Sequence, residues 1–352
     1  MTAPLRIALA GVIRLIEENG AMIEQRAGRP IVVSAVSARN RTLDRGIDLS
    51  AYPWFDTPAA LTEQEDVDCV VEMIGGADGT ALELARKSLA AGKSFVTANK
   101  AMIAHHGMEL AKTAEAGNLS LRYEAAVAGG IPVIKGLRDG ASANRIERVY
   151  GILNGTSNYI LTEMEKHGHA FDDVLKEAQA IGYAEADPGF DIDGVDAAHK
   201  LAILSALSFG KALDFEGVEI DGIRNIMAAD IGQAKALGYR IRLLGMARID
   251  DGKLFQRVNP YLVPESHPLA HIDGATNAVV AVLAEITAAM RDADVSIESL
   301  IQTEKTAEGS VLLSMVTHDS RECNVLKSLA ALSSSASLQA APVVMHLLSD
   351  QD

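Results

Sequence analysis

The densest concentration of groups able to do chemistry is Gly182-Tyr183-Ala184-Glu185-Ala186-Asp187-Pro188-Gly189-Phe190-Asp191-Ile192-Asp193-Gly194-Val195-Asp196-Ala197-Ala198-His199-Lys200. Pro188, Gly189 and Gly194 predict a loop, and Asp193 stands where it can cap a helix whose first turn holds Asp196. Asp196 and Lys200 are then i and i+4 on one helix face. The plain reading of that spacing is a solvated ion pair. Here, however, the rest of the helix is Ala197, Ala198, Leu201, Ala202, Ile203, Leu204, Ala206 and Leu207, which leaves little polar face. A lysine near the start of a mostly buried helix needs carboxylate partners or a function, and buried lysines shift their pKa readily enough to serve as proton donors. Glu185, Asp187, Asp191 and Asp193 lie just upstream and suit a ligand with an ammonium group, although acidic loops are more often simply solvated.

Two further segments carry weaker signals. Thr97-Ala98-Asn99-Lys100 follows a short apolar strand, at the end where a parallel sheet presents its site residues; a surface lysine opening a helix is the alternative. Glu124-Ala125-Ala126-Val127-Ala128-Gly129-Gly130-Ile131-Pro132 combines one acid with a glycine pair, so a carboxylate and exposed carbonyls could hold a hard cation, or the segment is a tight turn.

The elements that must position these groups follow from periodicity. Residues 7–10, 31–36, 69–74 and 94–97 read as strands, and residues 80–91 as a helix ended by Gly92. Such alternation predicts a parallel sheet flanked by helices, with a ligand crevice at the carboxyl ends of the strands, where Gly75-Gly76 and residues 97–100 fall. Beyond Tyr123 a strand at 149–153 and helices at 159–166, 171–180 and 195–207 predict a separate α+β region. From about residue 282 the order is helix (283–291), strand (296–303), strand (311–317), helix (322–332), strand (343–348). This is a βαββαβ order without its first strand.

A chain of 352 residues exceeds one growing core, so two or three domains are expected. Its net charge of −15 repels phosphate backbones and anionic lipid, which argues against nucleic-acid and membrane partners. With no long apolar run and no signal h-region, a cytoplasmic location is expected. Cys69 and Cys323 suggest neither a disulfide framework nor a metal site.

Glu72-Met73-Ile74-Gly75-Gly76, Thr97-Ala98-Asn99-Lys100-Ala101, residues 124–132, Asn154-Gly155-Thr156-Ser157-Asn158-Tyr159-Ile160 and residues 182–200 resemble, in order, the motifs of the homoserine dehydrogenase family. The similarity runs from residue 5 to about residue 280, and the final segment resembles an ACT domain. The resemblance implies a Rossmann-like nucleotide-binding domain (1–125), an α+β catalytic and dimerisation domain (126–280) and a C-terminal ACT-like βαββαβ regulatory domain (281–352). It implies NAD(P)-dependent interconversion of L-aspartate 4-semialdehyde and L-homoserine, in threonine, methionine and isoleucine biosynthesis. Lys200 and Lys100 would be the catalytic pair, with Lys200 as proton donor. Glu185, Asp191 and Asp196 would hold the substrate through its ammonium and hydroxyl groups, with Gly155, Thr156 and Tyr183 lining the pocket. Gly11, Arg39, Gly75, Thr97, Lys100 and Gly182 would bind the nucleotide, and a sodium ion would sit at Glu124 with the carbonyls of Val127, Gly129 and Ile131. A homo-oligomer, dimer or tetramer, and inhibition by threonine are implied as well.

NADP is the expected cofactor, because the strand at 31–36 leads into Ser37-Ala38-Arg39-Asn40-Arg41 with no acid placed to bond both ribose hydroxyls, and Arg39 could meet a 2′-phosphate. Two departures from the family stand out. Gly11 leads straight into Val12-Ile13-Arg14 where a glycine-rich phosphate loop belongs, and Asn277-Ala278-Val279-Val280 runs directly into Ala281-Val282-Leu283; both places read as lacking a loop or linker. A phosphorylating semialdehyde dehydrogenase needs a cysteine nucleophile, for which Cys69 in a buried strand is unsuited. A non-catalytic amino-acid sensor is the rival from another class, and nucleotide binding separates the two.

Overall fold

A computed structural model describes residues 5–9, 12–142, 144–283, 289–290, 292–295, 297–305, 311–317 and 320–333. The chain forms two compact units, Met1–Gly136 with Val195–Glu219, and Leu137–Gly194 with Ile220–Asp352.

In the first unit, strands β1 (Leu5–Leu9), β2 (Ile31–Ser37), β3 (Trp54–Phe55), β4 (Cys69–Glu72), β5 (Ser94–Thr97) and β6 (Leu121–Arg122) form a sheet in the order β3-β2-β1-β4-β5-β6. Every pairing is parallel. Helices α1 (Ile13–Ala27), α2 (Thr80–Ala90) and α3 (Lys100–Ala116) join the strands. Successive residues of a strand point to opposite faces, and both faces here are apolar. Ala35, Val70 and Phe95 pack with Leu84, Met102 and Leu110, whereas their neighbours Val36, Cys69 and Val96 pack with Ile13 and Ile16. Cover on both sides explains why these strands read as continuous apolar runs rather than alternating ones. The strand order turns back between β1 and β4, and a crevice at the carboxyl ends belongs at such a reversal. Only residues 10–12 separate β1 from α1, so the connection is as short as the sequence indicates.

The second unit begins with β7 (Ile146–Ile152), α4 (Gly155–His167) and α5 (Phe171–Ala180). The chain then returns to the first unit through α6 (Val195–Phe209), and β8 (Glu219–Ile220) precedes α7 (Ala228–Ala236). The long hairpin of β9 (Tyr239–Asp250) and β10 (Lys253–Pro264) turns at Asp251-Gly252, both at positive φ, as a two-residue hairpin turn requires. With β11 (Ala278–Leu283) these strands form a five-stranded sheet in the order β11-β7-β9-β10-β8. Arg242 of β9 is fully buried and ties the sheet to α4, because Glu165 and Asp273 each approach its guanidinium to 3.1 Å.

Residue 283 was expected to open a helix and instead ends β11, whose Ala281, Val282 and Leu283 pair with Val149, Arg148 and Ile146. Residues 281–283 therefore extend this five-stranded sheet past the boundary expected at 280. A short apolar run cannot separate strand from helix by period alone, and pairing decided it. Gly151 of β7 is required at this contact, since a Cβ there would lie 2.0 Å from the Ala278 carbonyl oxygen.

Further along, β12 (Ile297–Lys305) pairs antiparallel with β13 (Val311–Thr317), followed by α8 (Glu322–Ser333). Met290, Ala293 and Val295 pack against Leu332 of α8. The strand, strand, helix order agrees with the sequence, and the strand expected at 343–348 lies outside the described residues.

Candidate active site

In the first unit a single carboxylate holds two lysines. Asp196, in the first turn of α6, accepts from the Lys200 ammonium through Oδ2 at 2.7 Å and pairs with the Lys100 ammonium through Oδ1 at 3.1 Å. The Asp196 side chain is 5% exposed, that of Lys200 13% and that of Lys100 33%. The i, i+4 spacing sets the first contact, and the second depends on α3, whose first residue is Lys100. Around them α6 is apolar: Ala197, Ala198, Leu201 and Leu204 are buried. Ammonium groups fixed by a shared, largely desolvated carboxylate can polarise an oxygen and give a proton to it.

His199 was not singled out in the sequence, yet it belongs to this cluster. Its ring stacks on Phe215 at 4.4 Å between centroids, and its Nε2 lies 3.2 Å from His105 Nε2 on α3. Burial first, then the neighbouring His105 and Lys100, hold its pKa down to about 4 against the pull of Asp196. At neutral pH it is an uncharged spacer that does not compete with the lysines for Asp196. The only signal was its position, between Asp196 and Lys200.

The crevice end of the sheet is organised by another acid. Glu72, the last residue of β4, accepts from the backbone N–H groups of Ile74 and Gly75 and from the Thr97 hydroxyl. Thr97 in turn accepts from Asn99 N–H at 2.9 Å. Asn99 caps α3 by accepting from Met102 N–H, and its amide donates to the Gly76 carbonyl at 2.7 Å. Gly75 and Gly76 have φ of 88° and 85°, and a Cβ on Gly75 would meet nothing within 4 Å. Thus Gly75 offers open space rather than its amide, which Glu72 has taken. Arg39 is exposed just past β2, where Arg41 and Arg45 lie 5.7 and 6.0 Å from the centroid of the Trp54 ring. Gly11 lies outside the described residues.

The other expected binding residues belong to the second unit. Asn154 caps α4 by accepting from Ser157 N–H, and its amide donates to Asp191 Oδ1 at 2.7 Å. The Ser157 hydroxyl donates to the Asp191 carbonyl, and the Thr156 hydroxyl to that of Tyr183, each at 3.0 Å. Tyr183 meets Tyr159 edge to face at 4.9 Å, Gln179 donates to the Glu185 carbonyl at 3.0 Å, and Gly182 turns with φ of 80°. The start of α4 therefore grips the acidic loop at several points. Gly155 owes its lack of a side chain to the Ala275 carbonyl oxygen, 2.7 Å from where a Cβ would stand. Asp193 stands two residues before α6, which begins at Val195. Its carboxylate takes two bonds from Arg224, which hold its pKa below the usual range. Asn154 and Arg224, missed in the sequence, touch the loop from 37 and 31 residues away.

Glu124 accepts from the N–H groups of Ile134 and Lys135, at 2.9 and 3.0 Å, and so caps the helical turn Val133–Lys135. Ala128 and Gly130, between the expected carbonyl ligands Val127, Gly129 and Ile131, have φ of 49° and 91°. The Cys69 thiol is pushed up to about 11 by burial and by Asp68, which makes it inert as a nucleophile.

Residues 132–296 match the family model described as homoserine dehydrogenase, and residues 10–124 match that described as homoserine dehydrogenase, NAD binding domain. The homoserine dehydrogenase of Neisseria gonorrhoeae is 48% identical over 269 residues, covering 76% of this chain and 61% of that protein. That of Pseudomonas aeruginosa is 47% identical, covering 77% of this chain and 62% of that protein. The chain thus spans about three-fifths of the length of these curated relatives. A crystal structure of a homoserine dehydrogenase from Thiobacillus denitrificans aligns with a TM-score of 0.76 at 35% identity, over 95% of this chain and 96% of that one. A hyperthermophilic archaeal homoserine dehydrogenase in complex with NADPH aligns with a TM-score of 0.66 at 26% identity, over 79% of this chain and 88% of that one.

The depressed pKa of His199 sets a pH window for stability. Between about pH 6.5 and pH 4 the unfolded chain binds a proton that the folded chain refuses, so stability falls as pH drops through that window. The loss is on the order of 3 kcal/mol at most. Urea unfolding at pH 7 and pH 4.5 should show a smaller drop for His199→Leu than for the wild type; equal drops would remove the assignment.

Proposed function

The chain belongs to the homoserine dehydrogenase family, and on that premise we propose that it interconverts L-aspartate 4-semialdehyde and L-homoserine with a nicotinamide dinucleotide. The observation that carries this reading is the Asp196 carboxylate bridging Lys100 and Lys200. We take residues 1–125 as the nucleotide-binding part, 126–280 with the rest of β11 as the catalytic part, and 281–352 as a regulatory part.

The fit to the cofactor rests on a parallel sheet of reversed order, on open space above Gly75, and on Thr97 and Lys100 at the carboxyl end of β5. Gly75, Thr97 and Lys100, with Gly182 and Gly11, would hold it, and Arg39 would meet a 2′-phosphate, which favours NADP. A bound nicotinamide dinucleotide would supply the hydride acceptor for oxidation of the homoserine carbinol and the hydride donor for reduction of the aldehyde. In reduction the Lys200 ammonium would donate a proton to the oxygen and be left as the neutral amine; in oxidation that neutral amine would take the hydroxyl proton and become the ammonium. Lys100 supplies a second positive charge beside the same oxygen. Asp196 fixes both ammonium groups and keeps them from repelling each other out of place. Glu185 and Asp191 would bind the substrate ammonium, with Tyr183, Thr156 and Gly155 lining the pocket. Sodium at Glu124 and the carbonyls of Val127, Gly129 and Ile131 is consistent with an oxygen donor set carrying one negative charge.

One observation favours the sensor reading: the chain has a single glycine, Gly11, between β1 and α1 where a phosphate cradle belongs. Calorimetric binding of NADPH by the full chain supports the dehydrogenase, and no binding of either nicotinamide dinucleotide supports the sensor. Lys200→Ala should then lower kcat by roughly 10²–10⁴-fold while leaving NADPH affinity nearly unchanged, with NADPH used in preference to NADH. Near-normal turnover of that variant would remove Lys200 from its role.

For the C-terminal part we propose an ACT-like module in a cytoplasmic homo-oligomer, dimer or tetramer, that binds threonine as a feedback inhibitor in the biosynthesis of threonine, methionine and isoleucine. The pair β12–β13 and the packing of α8 support such a module. Threonine must favour a less active arrangement, because only differential affinity shifts a population. Activity should fall with added threonine in the full chain; activity independent of threonine would leave the module structural.

A further inference from the structure

We propose that Glu72 is the positioning residue of Lys100, acting through Thr97 and Asn99; this rests on the dehydrogenase reading above. Glu72 is 0% exposed, and its known partners, Ile74 N–H, Gly75 N–H and the Thr97 hydroxyl, all donate, which suits a carboxylate. Because the hydroxyl proton of Thr97 is spent on Glu72, its lone pair is aimed at Asn99 N–H. Asn99 is thereby fixed at the cap of α3, with one end of its amide on Met102 N–H and the other on the Gly76 carbonyl. Lys100 is the next residue. Its backbone direction, and so the 3.1 Å reach of its ammonium to Asp196 Oδ1, is set by a relay of three residues that starts at Glu72.

The residue type matters at each link. Aspartate is one methylene too short to serve both the 74–75 turn and β5. Glutamine would present an amide donor to a hydroxyl that must itself donate. Valine at 97 keeps the shape of threonine and cuts the relay at its centre. A carboxylate that merely ended β4 would make these changes costly for folding and indifferent to Lys100.

The test uses the full chain and the variants Glu72→Gln and Thr97→Val. At saturating NADP, Glu72→Gln and Thr97→Val should lower kcat for homoserine about tenfold or more, with the NADP Kd of Glu72→Gln within about threefold of wild type. The NMR resonance of ¹³C-dimethylated Lys100, assigned with Lys100→Arg, should move in both variants. An unchanged Lys100 resonance in folded Thr97→Val overturns the proposal whatever the activity, and so does unchanged kcat. A wild type that binds NADPH without oxidising homoserine would sink the dehydrogenase reading instead, and the Lys100 resonance would then decide this proposal alone. Should Glu72→Gln fail to fold, Thr97→Val carries the test.

Discussion

Two ammonium groups held on one carboxylate impose more on this chain than any other contact. Asp196 and Lys200 come from a helix that is otherwise apolar, so neither charge has much water to fall back on. Removing Asp196 would take from both ammonium groups the carboxylate they share. The second ammonium on this carboxylate comes from Lys100, the first residue of α3. His199 completes the arrangement by staying neutral, since a third cation beside Asp196 would loosen both lysines.

The parallel sheet meets that demand at its carboxyl edge. β5 ends at Thr97, a polar residue buried among apolar strands, and the bonds from Glu72 through Thr97 to Asn99 connect two strand ends to the cap of α3. A buried carboxylate is tolerated there because three donors surround it. In the second unit the same logic recurs with neutral groups: the cap of α4 is an asparagine that also holds Asp191. In both units a helix cap doubles as the anchor of a loop that carries candidate site residues.

Much of this was legible in the residues. The doubly covered sheet showed as unbroken apolar runs, Lys200 showed as a lysine on a helix with little polar face, and Lys100 showed only by its place after a strand end. The contacts that set their geometry were not legible, because they join residues far apart: His105 with His199, Asn158 with the Ile272 carbonyl, Arg224 with Asp193. Residue 283 misled for a different reason, lying in too short an apolar run for period to decide, so that only pairing with β7 made it the end of a strand. Glu72 was quoted as part of a motif without a role, since nothing in sequence says which donors a buried acid will find.

Steady-state oxidation of L-homoserine with NADP, followed by the appearance of reduced nicotinamide, tests the central claim most directly when wild type is compared with Asp196→Asn. Asparagine keeps the shape and one acceptor but removes the charge that both lysines share. The account predicts turnover in the wild type and a loss in kcat on the order of 10²-fold in a variant that still folds and still binds NADPH. Equal turnover in the two proteins would contradict it.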